Sequence, residues 1–198
     1  MNEINESNSK FCDPSKIDLE YYKKIKTYSD LLANPEELGE PSRNGELEAF
    51  VLREARLLDQ RKFDDWLSLF SENGCYWIPG SSPANSPAEE ITLEFHDLRR
   101  LKDRIVRLQT GVAYSQIPVS RTNRVVSFPE IWSSDLFEDC FFARSSFVLH
   151  ESRNETSQII SGWYGYVVNF SGGDLRLSMK QINLNDCTAP QGNHSFFL

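Results

Sequence analysis

The spacing of apolar residues changes once along this 198-residue chain, and that change restricts the possible folds more than any other feature. Up to about residue 110 most apolar residues recur every three or four positions, which is the helical period, with one short strand predicted among the helices. After Pro118 they alternate with polar residues, as in a half-buried strand. Helices followed by a long antiparallel meander are typical of an α+β fold. The sheet must curl around the helices, because both have an apolar face to bury.

Three helices are predicted before the change of period. The first has one apolar stripe, made by Leu47, Phe50, Val51, Ala55 and Leu58. A short second helix places four residues on one side: Phe63, Trp66, Leu67 and Phe70. Residues 74–79 form a short predicted strand that ends at a proline. The third helix is predicted over 95–109, with Gly111 as its C-cap.

Four strands are predicted after Pro118: Arg121–Trp132, Cys140–Glu151, Thr156–Phe170 and Leu175–Leu184. Short turn sequences separate them, among them a Gly-Gly-Asp turn at 172–174. In the last strand Leu175, Leu177 and Met179 share one parity, whereas Ile182 and Leu184 share the other. A one-residue slip would carry the core face to solvent, so a β-bulge is expected near Lys180 and Gln181.

Residues 1–45 differ from the rest and are predicted to form an N-terminal arm, partly helical or disordered, ahead of a single α+β barrel domain over 46–198. Helical spacing is present in one part of the arm, at Ile17, Tyr21, Ile25, Tyr28 and Leu32. Such a helix packs either on this domain or on a neighbour. A frayed arm is the alternative.

The charge balance excludes some functions. The net charge of −8 argues against a nucleic-acid partner, which requires a basic face. No stretch approaches the roughly 18 apolar residues of a membrane span, and the polar, acidic start has no signal-peptide pattern. We therefore expect a cytoplasmic protein without a membrane partner. Four well-separated cysteines permit two disulfides, but reduced, buried thiols are the preferred interpretation.

Several motifs together resemble the small (β) subunit of aromatic-ring-hydroxylating, Rieske non-haem iron dioxygenases. The opening resembles that family in the runs EARLLD at 54–59, WLSLF at 66–70 and YWIP at 76–79. Its central signature is similar to DRIVRLQTG at 103–111 and PVSRTNR at 118–124. The ending NHSFFL at 193–198 is similar to the family's hydrophobic C-terminus. The match covers about residues 46–198, and residues 1–45 depart from it.

The resemblance implies a cone-shaped curved antiparallel sheet packed on helices, of the nuclear transport factor 2-like or cystatin-like type. It implies a hetero-hexamer of three α and three β subunits that dihydroxylates an aromatic substrate in aromatic hydrocarbon catabolism. In that family the α subunit carries a Rieske [2Fe-2S] cluster and a mononuclear iron, and ferredoxin and reductase act through it. The chain itself is then a structural oxidoreductase subunit without catalytic, cofactor-binding or metal-binding residues.

The residues agree with a metal-free chain. A Rieske centre takes two Cys and two His as close pairs, yet no histidine lies within four residues of a cysteine. Mononuclear iron takes two His and a carboxylate on one face, whereas His96, His150 and His194 lie in three different elements. Neither GxGxxG nor a P-loop opens a helix, so nucleotide binding is not expected either.

The rival hypothesis is a stand-alone acid/base enzyme of the same fold, an isomerase or dehydratase with a pocket inside the cone. Its candidate residues are Asp64, Asp65, Tyr76, His150 and Glu151. Adjacent strand residues point to opposite faces, so His150 and Glu151 cannot both line one cavity without a bulge. Bulky aromatic residues on the inward rows of the last strands also favour a filled cone.

One cluster of charges stands out, and we call it the basic island. It consists of five basic residues on the third predicted helix and two that follow: Arg99, Arg100, Lys102, Arg104, Arg107, Arg121 and Arg124. Within that helix only Asp97 and Asp103 oppose their charge. A solvated helix face is one interpretation. A subunit interface is the other, favoured because the family signature runs through these residues. The predicted interface residues are Arg99, Arg100, Asp103, Arg104, Arg107, Arg121 and Arg124.

Overall fold

A computed structural model describes residues 17–110, 117–134, 136–137, 139–189 and 195–198. Its helices are α1 (Leu19–Ala33), α2 (Gly45–Asp59), α3 (Phe63–Leu67) and α4 (Leu98–Thr110), with a 3-10 turn at Pro35–Leu38. Its strands are β1 (Phe70–Ile78), β2 (Glu94–Asp97), β3 (Arg121–Val126), β4 (Glu130–Ser133), β5 (Cys140–Arg153), β6 (Thr156–Ser171) and β7 (Asp174–Leu184). Within these described ranges no helix has both the length and the apolar character to cross a bilayer.

The seven strands form one curved sheet in the order β2-β1-β7-β6-β5-β3, with β4 also paired to β5. The predicted α+β fold is therefore confirmed. One pair departs from the predicted antiparallel meander, because β1 and β7 run parallel. Parallel neighbours need a long connection, and here most of the sheet is built between the two strands.

Helix α4, which corresponds to the third predicted helix, begins later than predicted. Residues 95–97 were expected to be helical, but they belong to β2, which pairs antiparallel with β1. Asp97 ends the strand and caps α4, since its carboxylate accepts a hydrogen bond from the Arg100 main-chain N–H at 2.7 Å. The predicted C-cap at Gly111 lies outside the described residues.

Two details of the strand predictions are corrected. The single strand expected over 121–132 is divided into β3 and β4 around Pro129, whose missing N–H cannot continue a ladder. The β-bulge lies earlier than Lys180: Val167 pairs with Met179 and Val168 with Leu177, so Ser178 is the extra residue. Met179 is thereby turned to the face opposite Leu177.

The sheet buries both of its faces. The inner face packs against α2, α3 and α4, and we call the space between them the cone interior. The outer face is covered by α1, whose Tyr28 ring meets Phe142 edge-on at 5.6 Å between centroids. Gly165 allows the close approach of α1, because a Cβ there would lie 2.7 Å from the Leu32 side chain. The predicted helix in the N-terminal region thus packs on its own chain, while the division at residue 45 stays a prediction.

The buried thiols carry a testable consequence. Cys75, Cys140 and Cys187 are free and buried, and Cys12 lies outside the described residues. Burial raises the pKa of Cys75 to about 12 and that of Cys140 to about 11.

We expect iodoacetamide at pH 8 to leave Cys75 and Cys140 unmodified until the chain is denatured, as followed by peptide mass spectrometry. Unfolded cysteine loses its proton at about pH 8.5, whereas these folded thiols keep theirs. The two groups therefore lower the folding stability as the pH rises from about 8.5 towards 11. Alkylation of either thiol at the same rate before and after denaturation would contradict this assignment.

Candidate functional site

A buried carboxylate organises the cone interior. Glu54 lies in the middle of the apolar stripe of α2 and is fully buried. It accepts hydrogen bonds from Lys180 Nζ at 2.8 Å, Trp66 Nε1 at 2.5 Å and Tyr166 Oη at 3.3 Å. Lys180 is fully buried too, and its Nζ lies 4.4 Å from the Tyr164 ring centroid. An ion pair in this position joins α2 to β7, the last strand.

The protonation chemistry of this network follows from burial. Burial lowers the pKa of Lys180 to about 8, although the nearby charge of Glu54 acts to raise it. Burial also raises the pKa of Tyr76 and of Tyr166 well above the usual range of a phenol, and the Glu94 or Glu54 charge adds to the effect. The two tyrosines therefore remain neutral hydrogen-bonding groups at physiological pH.

Two further cation–carboxylate pairs lie around the same space. Arg124 is buried, and its Nε lies 3.0 Å from Asp59 Oδ1. Asp59 also accepts from the Arg124 main-chain N–H and from Thr122 Oγ1, both at 2.9 Å, which ties the end of α2 to β3. Arg104 of α4 is buried and paired with Glu94 of β2. In each of the three pairs the carboxylate balances the charge of its cation.

The last residues of the sequence fill the remaining space. Phe196, Phe197 and Leu198 are buried. The Phe197 ring lies 4.7 Å from the Trp66 ring, 5.6 Å from Phe63 and 5.8 Å from Tyr76, measured between centroids. The cone interior is thus occupied by side chains of the chain itself, in agreement with the bulky inward rows of the sequence.

The candidates of the rival enzyme hypothesis are not brought together. Tyr76 is buried, and its hydroxyl is occupied by the main chain of Leu198. Asp64 and Asp65 are exposed on α3. His150 is exposed, while the adjacent Glu151 is buried on the other face of β5, as the alternation predicted. No observation therefore favours the acid/base enzyme over a filled core.

The metal donors are likewise dispersed. Within the described ranges, no group of three or more His, Cys, Asp or Glu side chains is placed to hold a metal ion. His96 lies on β2, where its Nε2 is 3.5 Å from Glu94 Oε2, and His150 lies on the exposed face of β5. His194 lies outside the described residues.

The basic island is divided by the structure. Its exposed members are Arg99, Arg100, Lys102, Arg107 and Arg121, and the opposing Asp103 is exposed as well. Arg104 and Arg124 instead point into the cone interior, where partners within the chain bind them. A docking surface can therefore use the exposed members directly, and the interface role of the whole set stays a prediction.

Sequence reasoning missed the two residues at the centre of the network. Glu54 follows Phe50 by four positions and precedes Leu58 by four, so the helical period alone places it on the buried face. That charged residue in an apolar stripe was the available signal. Lys180 carried no comparable signal, because the position of the β-bulge decides which face it occupies.

The architecture defines the class of protein: a curved sheet wrapped around helices, with its interior filled. The β subunit of benzoate 1,2-dioxygenase from Burkholderia mallei superposes with a TM-score of 0.63 at 24% identity, covering 78% of this chain and 97% of that one. A naphthalene 1,2-dioxygenase chain superposes with a TM-score of 0.68 at 16% identity, covering 83% and 93%. A cystatin-like protein from Nostoc punctiforme, with a TM-score of 0.51 at 14% identity and coverage of 74% and 96%, shares the fold.

Sequence comparison is more specific. The family described as "Ring hydroxylating beta subunit" matches residues 53–191. The small oxygenase component of the p-cumate 2,3-dioxygenase system from Pseudomonas putida is 30% identical over 156 residues, 77% of this chain and 86% of the relative. Benzoate 1,2-dioxygenase subunit beta from Acinetobacter baylyi is 27% identical over 146 residues, 71% and 85% of the two chains. The chain belongs to the ring-hydroxylating dioxygenase β-subunit family.

Proposed function

We propose that this chain is the non-catalytic structural subunit of a cytoplasmic terminal oxygenase that dihydroxylates an aromatic compound. Three copies assemble with three α subunits, which hold the Rieske cluster and the mononuclear iron. Ferredoxin and reductase deliver electrons through the α subunits. The observation that carries the proposal is the filled cone interior, in which the chain's own last residues occupy the position of a pocket.

The surface supports contact with further subunits. On the outer face, at the end of the sheet away from α1, Val125, Val148 and Ile159 are exposed. Val125 and Val148 are paired across β3 and β5, so the apolar groups are contiguous. Apolar groups gathered in this way are typical of protein–protein contacts. We assign this patch to the contacts between β subunits of a trimer.

Metal analysis of the complex tests the assignment. Coexpressed with an iron-bearing α subunit, the chain should copurify with it, and the complex should contain iron in proportion to α. The isolated chain should bind no stoichiometric iron, because the donors among its described residues are dispersed over separate elements. Light scattering at micromolar concentration should give the mass of an assembly that contains three copies of this chain. One tightly bound iron per isolated chain, or a chain that stays monomeric beside α, would refute the proposal.

The exposed part of the basic island gives a second test. We expect Arg121→Ala to weaken binding to the α subunit while leaving the melting temperature of the isolated chain almost unchanged, since Arg121 is exposed. Arg104→Ala should instead lower the melting temperature, because it leaves Glu94 without its buried cation.

Lys102→Ala, an exposed change on the same helix as Arg104, serves as the control and should affect assembly less than Arg121→Ala. Thermal melts and analytical gel filtration of each variant with α separate the two effects. If Arg121→Ala and Lys102→Ala both assemble like the unmodified chain, the exposed arginines form a solvated face.

A further inference from the structure

Three consecutive main-chain oxygens are held by the three buried cations. Arg104 Nη2 donates to the Phe196 oxygen at 2.8 Å, Arg124 Nη2 to the Phe197 oxygen at 3.0 Å and Lys180 Nζ to the Leu198 oxygen at 2.9 Å. We propose that the cone interior is a binding site for a short peptide segment with a central aromatic residue, and that residues 196–198 occupy it as a ligand supplied in cis.

The site recognises more than main-chain oxygens. The Tyr76 hydroxyl accepts from the Leu198 N–H at 3.0 Å and donates to the Leu198 oxygen at 3.3 Å. The Phe197 ring lies in an aromatic pocket, with the Arg104 guanidinium carbon 4.5 Å from its centroid. Three main-chain oxygens, the Leu198 N–H and the Phe197 ring are thus each matched by a group of the cone, as in a peptide-binding site.

The charges of the site do not depend on the segment. Each cation is already balanced by a carboxylate outside it: Arg104 by Glu94, Arg124 by Asp59 and Lys180 by Glu54. Glu54 is fixed further by Trp66 and Tyr166. Departure of the segment therefore removes ring packing and the hydrogen bonds to its main-chain oxygens, while each buried cation keeps its own carboxylate as counter-ion.

The segment is also separate from the sheet. Residues 195–198 belong to no strand of the ladder. The Ser195 hydroxyl lies 2.9 Å from that of Ser120. A segment outside the hydrogen-bonded sheet can open locally while the sheet persists. We therefore call α2–α4 and the inner face of the sheet the host, and residues 196–198 the segment bound by it.

Competition with a peptide added in trans tests the proposal in the full-length chain. Phe197→Ala removes the ring of the cis ligand and leaves its host groups in place. A fluorescein-labelled Ser-Phe-Phe-Leu peptide should bind this variant about tenfold or more tighter than it binds the unmodified chain, because the cis competitor is weakened. Fluorescence polarisation measures both affinities.

Two controls make the result specific. Phe128→Ala removes an exposed phenylalanine and should bind the peptide as the unmodified chain does. A peptide with alanine in place of its second phenylalanine should bind the Phe197→Ala variant much more weakly. Equal polarisation for the variant and the unmodified chain, or for the two peptides, overturns the proposal.

Hydrogen exchange of the unmodified chain decides the matter if Phe197→Ala does not fold. The Leu198 amide should exchange through a local opening, faster than the amides of the β5–β6 ladder and with little dependence on denaturant. Exchange of Leu198 only together with that ladder would show that the segment is an inseparable part of the core, and the proposal would be wrong.

Discussion

Replacement of Glu54 by alanine is expected to lower the free energy of unfolding by about 3–5 kcal/mol, a large fraction of the stability of a domain of this size. The change leaves the Lys180 ammonium in the core without its carboxylate. It also removes the acceptor of the Trp66 and Tyr166 hydrogen bonds. Urea unfolding followed by tryptophan fluorescence gives the difference directly.

A double-variant comparison shows whether the loss belongs to the ion pair. Lys180→Met alone should cost a similar amount, since it leaves the Glu54 carboxylate unbalanced. Glu54→Gln combined with Lys180→Met removes both charges and should recover much of the stability. Arg53→Ala, an exposed change one position earlier on α2, should remain within about 0.5 kcal/mol of the unmodified chain. If Glu54→Ala and Arg53→Ala changed the free energy of unfolding equally, the network would not contribute to stability.

The largest functional effect is expected when the chain is withheld from its α subunit. With ferredoxin and reductase in excess, we expect dihydroxylation by α alone to fall by about tenfold or more, because misplacing reacting centres by about 1 Å already costs about a hundredfold. In the proposed assembly this chain supplies geometry, whereas the metal centres proposed for α supply the redox chemistry. In the proposed hexamer it would hold one Rieske cluster close to the iron of the neighbouring α subunit.

The accompanying measurements separate assembly from chemistry. The reduction potential of the Rieske centre and its spectrum should be nearly the same with and without this chain, while the half-life of activity should shorten without it. The purified chain alone should show no turnover. Isomerase, dehydratase or hydroxylating turnover by this chain alone would refute the structural assignment and restore the acid/base enzyme as the better hypothesis.

The sequence by itself determined the fold class and the family. The helical period, the two-residue period of the strands and the turns depend on residues close together in the chain. They could therefore be predicted without any tertiary contact. The helices over 45–59 and 98–110 and the long strands β5–β7 lie close to where those patterns placed them. The errors in 95–97, around Pro129 and at the bulge all concern the ends or the register of strands, which depend on the partner strand.

Only the tertiary structure decided what the charged residues do. Glu54 and Lys180 lie 126 positions apart in the sequence, and their pairing exists because the sheet curls over α2. The basic island was one cluster in sequence, yet α4 and β3 turn Arg104 and Arg124 inward and leave Arg99, Arg107 and Arg121 outside. A charge can be buried only where a counter-ion and hydrogen-bond partners converge on it, and that convergence is a property of the folded chain, absent from any local pattern.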